Sequence, residues 1–265
     1  NLAEIKSIHP NYQVQTTLAD SVPLIRASKV WLLDSSGNSC TANPSACITG
    51  QNVKIGIIDT GIDYTHPDLG GCFGPSCKVV DGYDFFNDDP DPMDDHGHGT
   101  HVAAIAASNG ISNGVLKGVA PEALLVAYKV LSAGGYGYSD DIISAIERST
   151  DPNQDGNYSD HLPVINLSLG GYGNPDDPMS TAIDNAVNAG VVAAIAAGNS
   201  GPGTETILSP GTARKAITVG ATDKSDVIAS FSSRGPVIWI RQEGIERALL
   251  KPDVVAPGMS ICAAE

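Results

Sequence analysis

VKIGIID, residues 53–59, is a short run dominated by Val and Ile that ends directly in an aspartate and then turns through TGID. Its apolar part, VKIGII, is too short for an ordinary helix and suits a buried strand. Runs of the same kind recur as ALLVAYKVL (123–131), VINLSLG (164–170), VVAAIAAGN (191–199) and AITVGA (216–221), the last expected to close the series. Helical patterns lie between them. HGTHVAAIAAS (98–108) is a helix of small residues, and MSTAIDNAVNAG (179–190) is another. Ser139 is placed to cap DDIISAIER, in which Ile142, Ile143 and Ile146 share one face. Strands that are apolar throughout and separated by helices predict a three-layer α/β fold. Its central sheet is mostly parallel, with helices on both faces.

In such sheets the ligand crevice lies outside the carboxyl ends of the strands, so chemistry is expected just after residues 58, 169 and 197. Asp59 stands at the first of these places. Ser168, Leu169 and Gly170 stand at the second, and Asn199, Ser200 and Gly201 at the third. Any one of them alone reads as a turn or a cap. An acid and an amide on one rim, with a histidine opening a nearby helix, point to a site.

A chain of 265 residues with 42% apolar and only 5% aromatic residues can bury a sizeable core of Val, Ile, Leu and Ala. A formal charge of −15 argues against nucleic acid, which needs clustered Lys and Arg, and fits an acidic secreted protein or one that gathers cations. No stretch approaches the roughly 20 apolar residues that span a bilayer, so no membrane partner is expected. Among the five cysteines, Cys40 and Cys47 bracket TANPSA, and Cys72 and Cys77 bracket FGPS. Two local disulfides and an oxidising compartment are one reading, a set of thiols the other. Cys262 is left over.

IIDTGIDYTHPDL (57–69), DDHGHGTHVA (94–103), VINLSLGG (164–171), AAGNSGP (196–202) and FSSRGP (231–236), followed by APG (256–258), resemble the subtilisin-like serine proteases, the subtilases, in the family's order. The resemblance implies a serine endopeptidase working through an Asp-His-Ser triad, with Asp59 as the buried acid and His98 as the general base. A serine hydroxyl is a poor nucleophile until a neutral imidazole takes its proton, and a carboxylate must hold that imidazole in the right tautomer. His96 is an alternative base, although it falls outside HGTH. Asn199 matches the family's side-chain donor to the oxyanion. SLGG (168–171) and GGYGYS (134–139) match the extended segments that flank a bound peptide, which brings in Gly135, Gly137, Ser168, Leu169 and Gly170 as substrate-binding residues. Glycine there lets a polypeptide substrate approach the backbone.

DPNQDGNYSDH (151–161) begins with the calcium-loop pattern D-x-N-x-D-G, but position twelve is Leu162. Asp151, Asn153, Asp155 and Asp160 are candidate Ca2+ ligands, the alternative being a solvated acidic loop. Asp68 with SNGISN (108–113) resembles a second calcium site of the family. FFNDDPDPMDD (85–95) is a third acidic cluster, read as a cation site or as a charged face beside the cleft.

The opening segment, about residues 1–20, looks like the end of a subtilase pro-region that acts as inhibitor and folding aid; the alternative is an N-terminal strand of the mature domain. Residues 21–265 would be the catalytic domain. The family's Gly-Thr-Ser-Met nucleophile motif does not occur, and Ser232, Ser233 and Ser260 lack its context. The chain is therefore expected to need the remainder of the catalytic domain, with its serine, to hydrolyse peptides.

Overall fold

The computed structural model describes residues 18–112, 116–240, 244 and 246–264. Strands β1 (Lys54–Asp59), β2 (Val79–Asp84), β3 (Leu124–Lys129), β4 (Val164–Leu167), β5 (Val192–Ala196) and β6 (Ile217–Thr222) join β9 (Val254–Pro257) in one sheet. Its order is β2-β3-β1-β4-β5-β6-β9, and every pairing is parallel. Helix α3 (His98–Ala107) covers one face, while α4 (Ser139–Thr150) and α5 (Pro178–Ala189) pack side by side on the other. The three-layer expectation holds.

Alternation along β1 feeds both layers. Ile57 packs with Ala103, Ala104 and Ala107 of α3, whereas Ile58 packs with Ile142 and Ile146 of α4 and Ile183 of α5. The fully buried alanines let α3 lie close to the sheet. Helix α5 starts where Asp177 accepts a bond from Ser180 N at 2.8 Å, with Pro178 first in the helix, and it stops at Gly190, φ 115°.

Three expectations change. Ser139 is the first residue of α4 rather than its cap; the capping position falls to Tyr138, in extended conformation and with no side-chain bond. Asp140 and Asp141 in the first turn favour the start electrostatically instead. The buried stripe of α4 is Ile142, Ala145, Ile146 and Ser149, with Ile143 only half-buried. Nor does AITVGA end the sheet, since β2 and β9 form its two edges. An edge strand tolerates polar residues and proline, as VVDGYD and VVAP illustrate, so neither reads as a buried strand. A separate antiparallel hairpin, β7 (Val237–Ile240) with β8 (Glu246–Leu249), is anchored by Trp239 Nε1 donating to Asp176 Oδ2 at 2.9 Å.

The strand-like alternation at the start of the sequence lies outside the described residues. Helix α1 (Leu18–Leu24) runs across the expected boundary at residue 20, and with α2 (Ala27–Val30) it packs Val22 and Ala27 against Leu116, Trp31 and Ile261. Both expected disulfides are present, Cys40–Cys47 and Cys72–Cys77, with Cα separations of 5.3 and 5.6 Å. Among the described residues no helix is long and apolar enough to cross a membrane.

Candidate active site

The sheet order dictates where a crevice opens. From β1 the chain leaves towards β2 and β3, then crosses back to β4 and continues away through β5 and β6. Adjacent strands β1 and β4 thus have outgoing connections on opposite sides, and the gap between their carboxyl ends is the natural ligand site. Asp59 ends one strand and Ser168 follows the other.

Asp59 is fully buried, and its Oδ1 lies 2.6 Å from His98 Nδ1. Oδ1 also accepts from Thr60 N at 2.7 Å; Oδ2 is buried without a hydrogen-bond partner among the described residues. His98 reaches this position because α3 starts hard against the turn after β1. A Cβ on Gly99 would sit 2.1 Å from the Gly61 carbonyl oxygen, so only glycine allows the approach. Gly97, at φ 99°, offers no side-chain cap, and Asp94 supplies it from outside. Asp94 Oδ1 accepts from His96 N, Gly97 N and Thr60 Oγ1, and its Oδ2 accepts from Thr100 N and Thr100 Oγ1, at 2.6–3.0 Å. The carboxylate takes Gly97 N and Thr100 N at the helix start and ties them to Thr60, the residue after Asp59, whose Oγ1 in turn accepts from Gly99 N at 2.8 Å. Burial opposes ionisation of Asp94, but these bonds outweigh it and hold its carboxyl below the usual range.

With Nδ1 engaged by a carboxylate, the neutral imidazole carries its proton there and leaves Nε2 as an acceptor. The Asp59 bond raises the His98 pKa above 6.5; burial pulls it down, and the charges of Asp59 and Asp94 add to the rise. A raised folded value means that protonation of His98 contributes stability below about pH 6.5, and that this contribution is lost as pH rises through the folded midpoint. The gap in unfolding temperature between wild type and His98→Ala is therefore expected to be wider at about pH 5 than at about pH 8, as read by thermal melts. Equal gaps would mean that the Asp59 bond does not favour the imidazolium.

His98 faces a cleft of about 530 Å³ whose walls include Gly135, Gly137, Ser168, Leu169 and Gly170. All five expected substrate residues thus gather around the imidazole. GGYGYS is not extended throughout, however. Ser132 N donates to Tyr136 O at 2.9 Å across a turn that Gly135 closes at φ 73°, and only Tyr136–Tyr138 runs straight before α4. His96, the alternative base, also lines the cleft, but its Nδ1 accepts from His98 N at 3.3 Å and is not against a carboxylate. Asn199 lies exposed three residues beyond β5. Its turn is braced from FSSRGP, where Ser233 N donates to Gly198 O and Ser233 Oγ accepts from Ser200 N, both at 3.0 Å.

A family model described as the subtilase family matches residues 50–265. The chain belongs to the subtilase family. Serine protease AprX of Bacillus subtilis is 41% identical over 81% of this subtilase and 48% of its own length. Subtilisin DY of Bacillus licheniformis is 39% identical over 86% of this chain and 73% of its own. Among solved structures, a cold-adapted subtilisin-like serine proteinase gives a TM-score of 0.64 at 31% identity, covering 89% of this chain and 73% of that one. Sphericase gives 0.66 at 34%, covering 82% and 69%. The chain spans about half the length of AprX and 27% of the minor extracellular protease Vpr of Bacillus subtilis, which is 40% identical over 83% of this chain.

The calcium candidates are less well served in this subtilase than the catalytic ones. Asp151 accepts from Gly156 N at 2.9 Å and Asn153 from Asp155 N at 2.9 Å, while Asp155 accepts from Asn157 N at 2.8 Å. These side chains close the loop's own turns, and Asp160 sits apart in the short turn Tyr158–Asp160. Asp68 is buried and accepts from Ser112 N at 2.7 Å, bracing the loop after α3. Among the described residues no three His, Cys, Asp or Glu side chains stand close enough together to hold an ion. The cluster at 85–95 resolves differently. Tyr64 and Tyr83 donate to Asp91 and Asp88, Asp94 caps α3, and Asp95 pairs with Lys129. The acidic run is conspicuous in the sequence but these roles are not, because Asp91 and Asp95 find their partners, Tyr64 and Lys129, 27 and 34 residues away.

Proposed function

We propose that this chain carries the acid, base and substrate walls of a secreted serine endopeptidase. What supports the reading is the 2.6 Å bond between buried Asp59 and His98 at the edge of the cleft. In the reaction His98 Nε2 takes the proton of a serine hydroxyl as it attacks the scissile carbonyl, then returns it to the leaving amine. Asp59 keeps the imidazole in the Nδ1–H tautomer and stabilises the imidazolium that forms between the two steps. The nucleophilic serine belongs to a part of the catalytic domain outside the segments that build this cleft. Residues 1–20 would serve as the end of an inhibitory pro-region, with maturation near residues 15–25.

Asn199 is assigned the oxyanion. Its amide would face charge that exists only in the tetrahedral intermediate, so Asn199→Ala should lower kcat about 10²–10³-fold with little change in KM. That magnitude comes from subtilisin, a relative. A casein-cleavage assay of the protein carrying its serine checks it, and an unchanged kcat would remove the assignment. Tyr136–Tyr138, through Gly137, and Ser168–Gly170 would take the substrate as an added strand by its backbone, which gives broad sequence tolerance, while the turn at Gly135 shapes the end of that wall. Secretion fits the two disulfides and the extracellular naming of one relative. Cleavage of casein by the serine-bearing protein, abolished by a serine-directed phosphonylating reagent, tests the whole proposal.

A further inference from the structure

Lys129 is among the largest fully buried side chains of the molecule, 1% exposed, and the mechanism above gives it no work. It stands beside Asp59 in the register of β1 and β3, so both side chains leave the same face of the sheet, the face covered by α3. Its ammonium donates to Thr60 O at 2.8 Å, to Leu131 O at 3.0 Å and to Asp95 Oδ1 at 2.5 Å. Those acceptors belong to three parts of the site: the turn after the acid, the start of the cleft wall, and the loop that leads into the base. A buried ammonium is costly unless paired and fully hydrogen-bonded. Here all three protons are used, and Asp95, half-exposed, closes the charge.

We propose that Lys129, clamped by Asp95, is a positioning residue for the Asp59–His98 pair: it fixes the acid's turn against the cleft wall, and its charge opposes the carboxylates around the imidazole. The inference rests on the proposed function for its purpose, but not for its test. His98 is acted on directly by Asp59 from β1 and Asp94 from the preceding loop, with the His96 ring beside it; Lys129 from β3 reaches the pair through Thr60, the residue after Asp59, and carries Asp95 as its counter-charge. Removing the cation leaves the carboxylates unopposed and favours the imidazolium; removing Asp95 leaves the cation unopposed and disfavours it. The two changes must move His98 in opposite directions.

The test is an NMR titration of the His98 imidazole in the folded chain, which needs no peptide hydrolysis. Lys129→Met is expected to raise the His98 midpoint by about half a pH unit, and Asp95→Asn to lower it by a similar amount. Combining the two, which deletes a neutral pair, should bring the midpoint back near the wild-type value. Midpoints that stay put in the folded variants, or that move in the same direction, would overturn the proposal. Should Lys129→Met fail to fold, Asp95→Asn, at a half-exposed position, decides alone: a lowered midpoint supports the proposal and an unmoved or raised one overturns it. A protein that shows these shifts yet never cleaves casein would retain the charge device while losing the proposed protease reading.

Discussion

His98→Ala in the protein carrying its serine is expected to lower kcat on a peptide substrate about a millionfold, the order measured for losing the base in subtilisin, a relative and the source of that magnitude. The size follows from the role. Without an acceptor at Nε2 the serine hydroxyl keeps its proton, and neither the attack nor the departure of the amine has a proton carrier. KM should change little, because the walls at Gly135, Gly137 and Ser168–Gly170 belong to other segments than α3. Neighbouring His96 should not rescue the variant, since its Nδ1 is directed at a backbone N–H instead of a buried carboxylate. Steady-state kinetics on a chromogenic peptide read both constants. A loss smaller than about a hundredfold would move the base elsewhere.

Asp59→Asn should cost about 10⁴-fold in kcat, an order again drawn from proteases of this mechanism. Asparagine keeps the shape of the buried side chain but can turn an N–H towards the imidazole. His98 would then carry its proton on Nε2, facing the cleft as a donor where an acceptor is needed. The substitution also removes the largest influence raising the His98 pKa, so the acid limb of the pH–rate profile should move to lower pH. A kinetic profile of the variant over the neutral and acid range reads the two effects together. Large loss with no shift of the limb would mean that Asp59 acts on folding rather than on His98.

Much of this site could be read from residues alone because it lies at strand ends that the apolar runs make conspicuous. VKIGII stops at Asp59, VINL stops before Ser168, and VVAAIA stops before Asn199, so the rim was visible before any coordinate. The histidine at the start of a run of small residues was equally plain, since alanine and glycine mark a helix that must approach a sheet closely. What escaped was held by partners far apart in the chain. Lys129 looks like a polar end to a strand until Thr60, Asp95 and Leu131 surround it. Asp94 looks like one acid among several until Thr60, Gly97 and Thr100 converge on it. Edge strands β2 and β9 escaped for a different reason, because an edge need not be apolar on both faces. The turn at Ser132–Tyr136 was masked by glycines that suit an extended segment and a turn equally well.

The protonation state of His98 at neutral pH bears most directly on the account. Nitrogen-15 NMR of the labelled imidazole, recorded above its midpoint and assigned with the His96 and His98 variants, distinguishes a protonated from a bare ring nitrogen. The account predicts a protonated Nδ1, held by Asp59, and a bare Nε2 open to the cleft. A protonated Nε2 with a bare Nδ1 would contradict it.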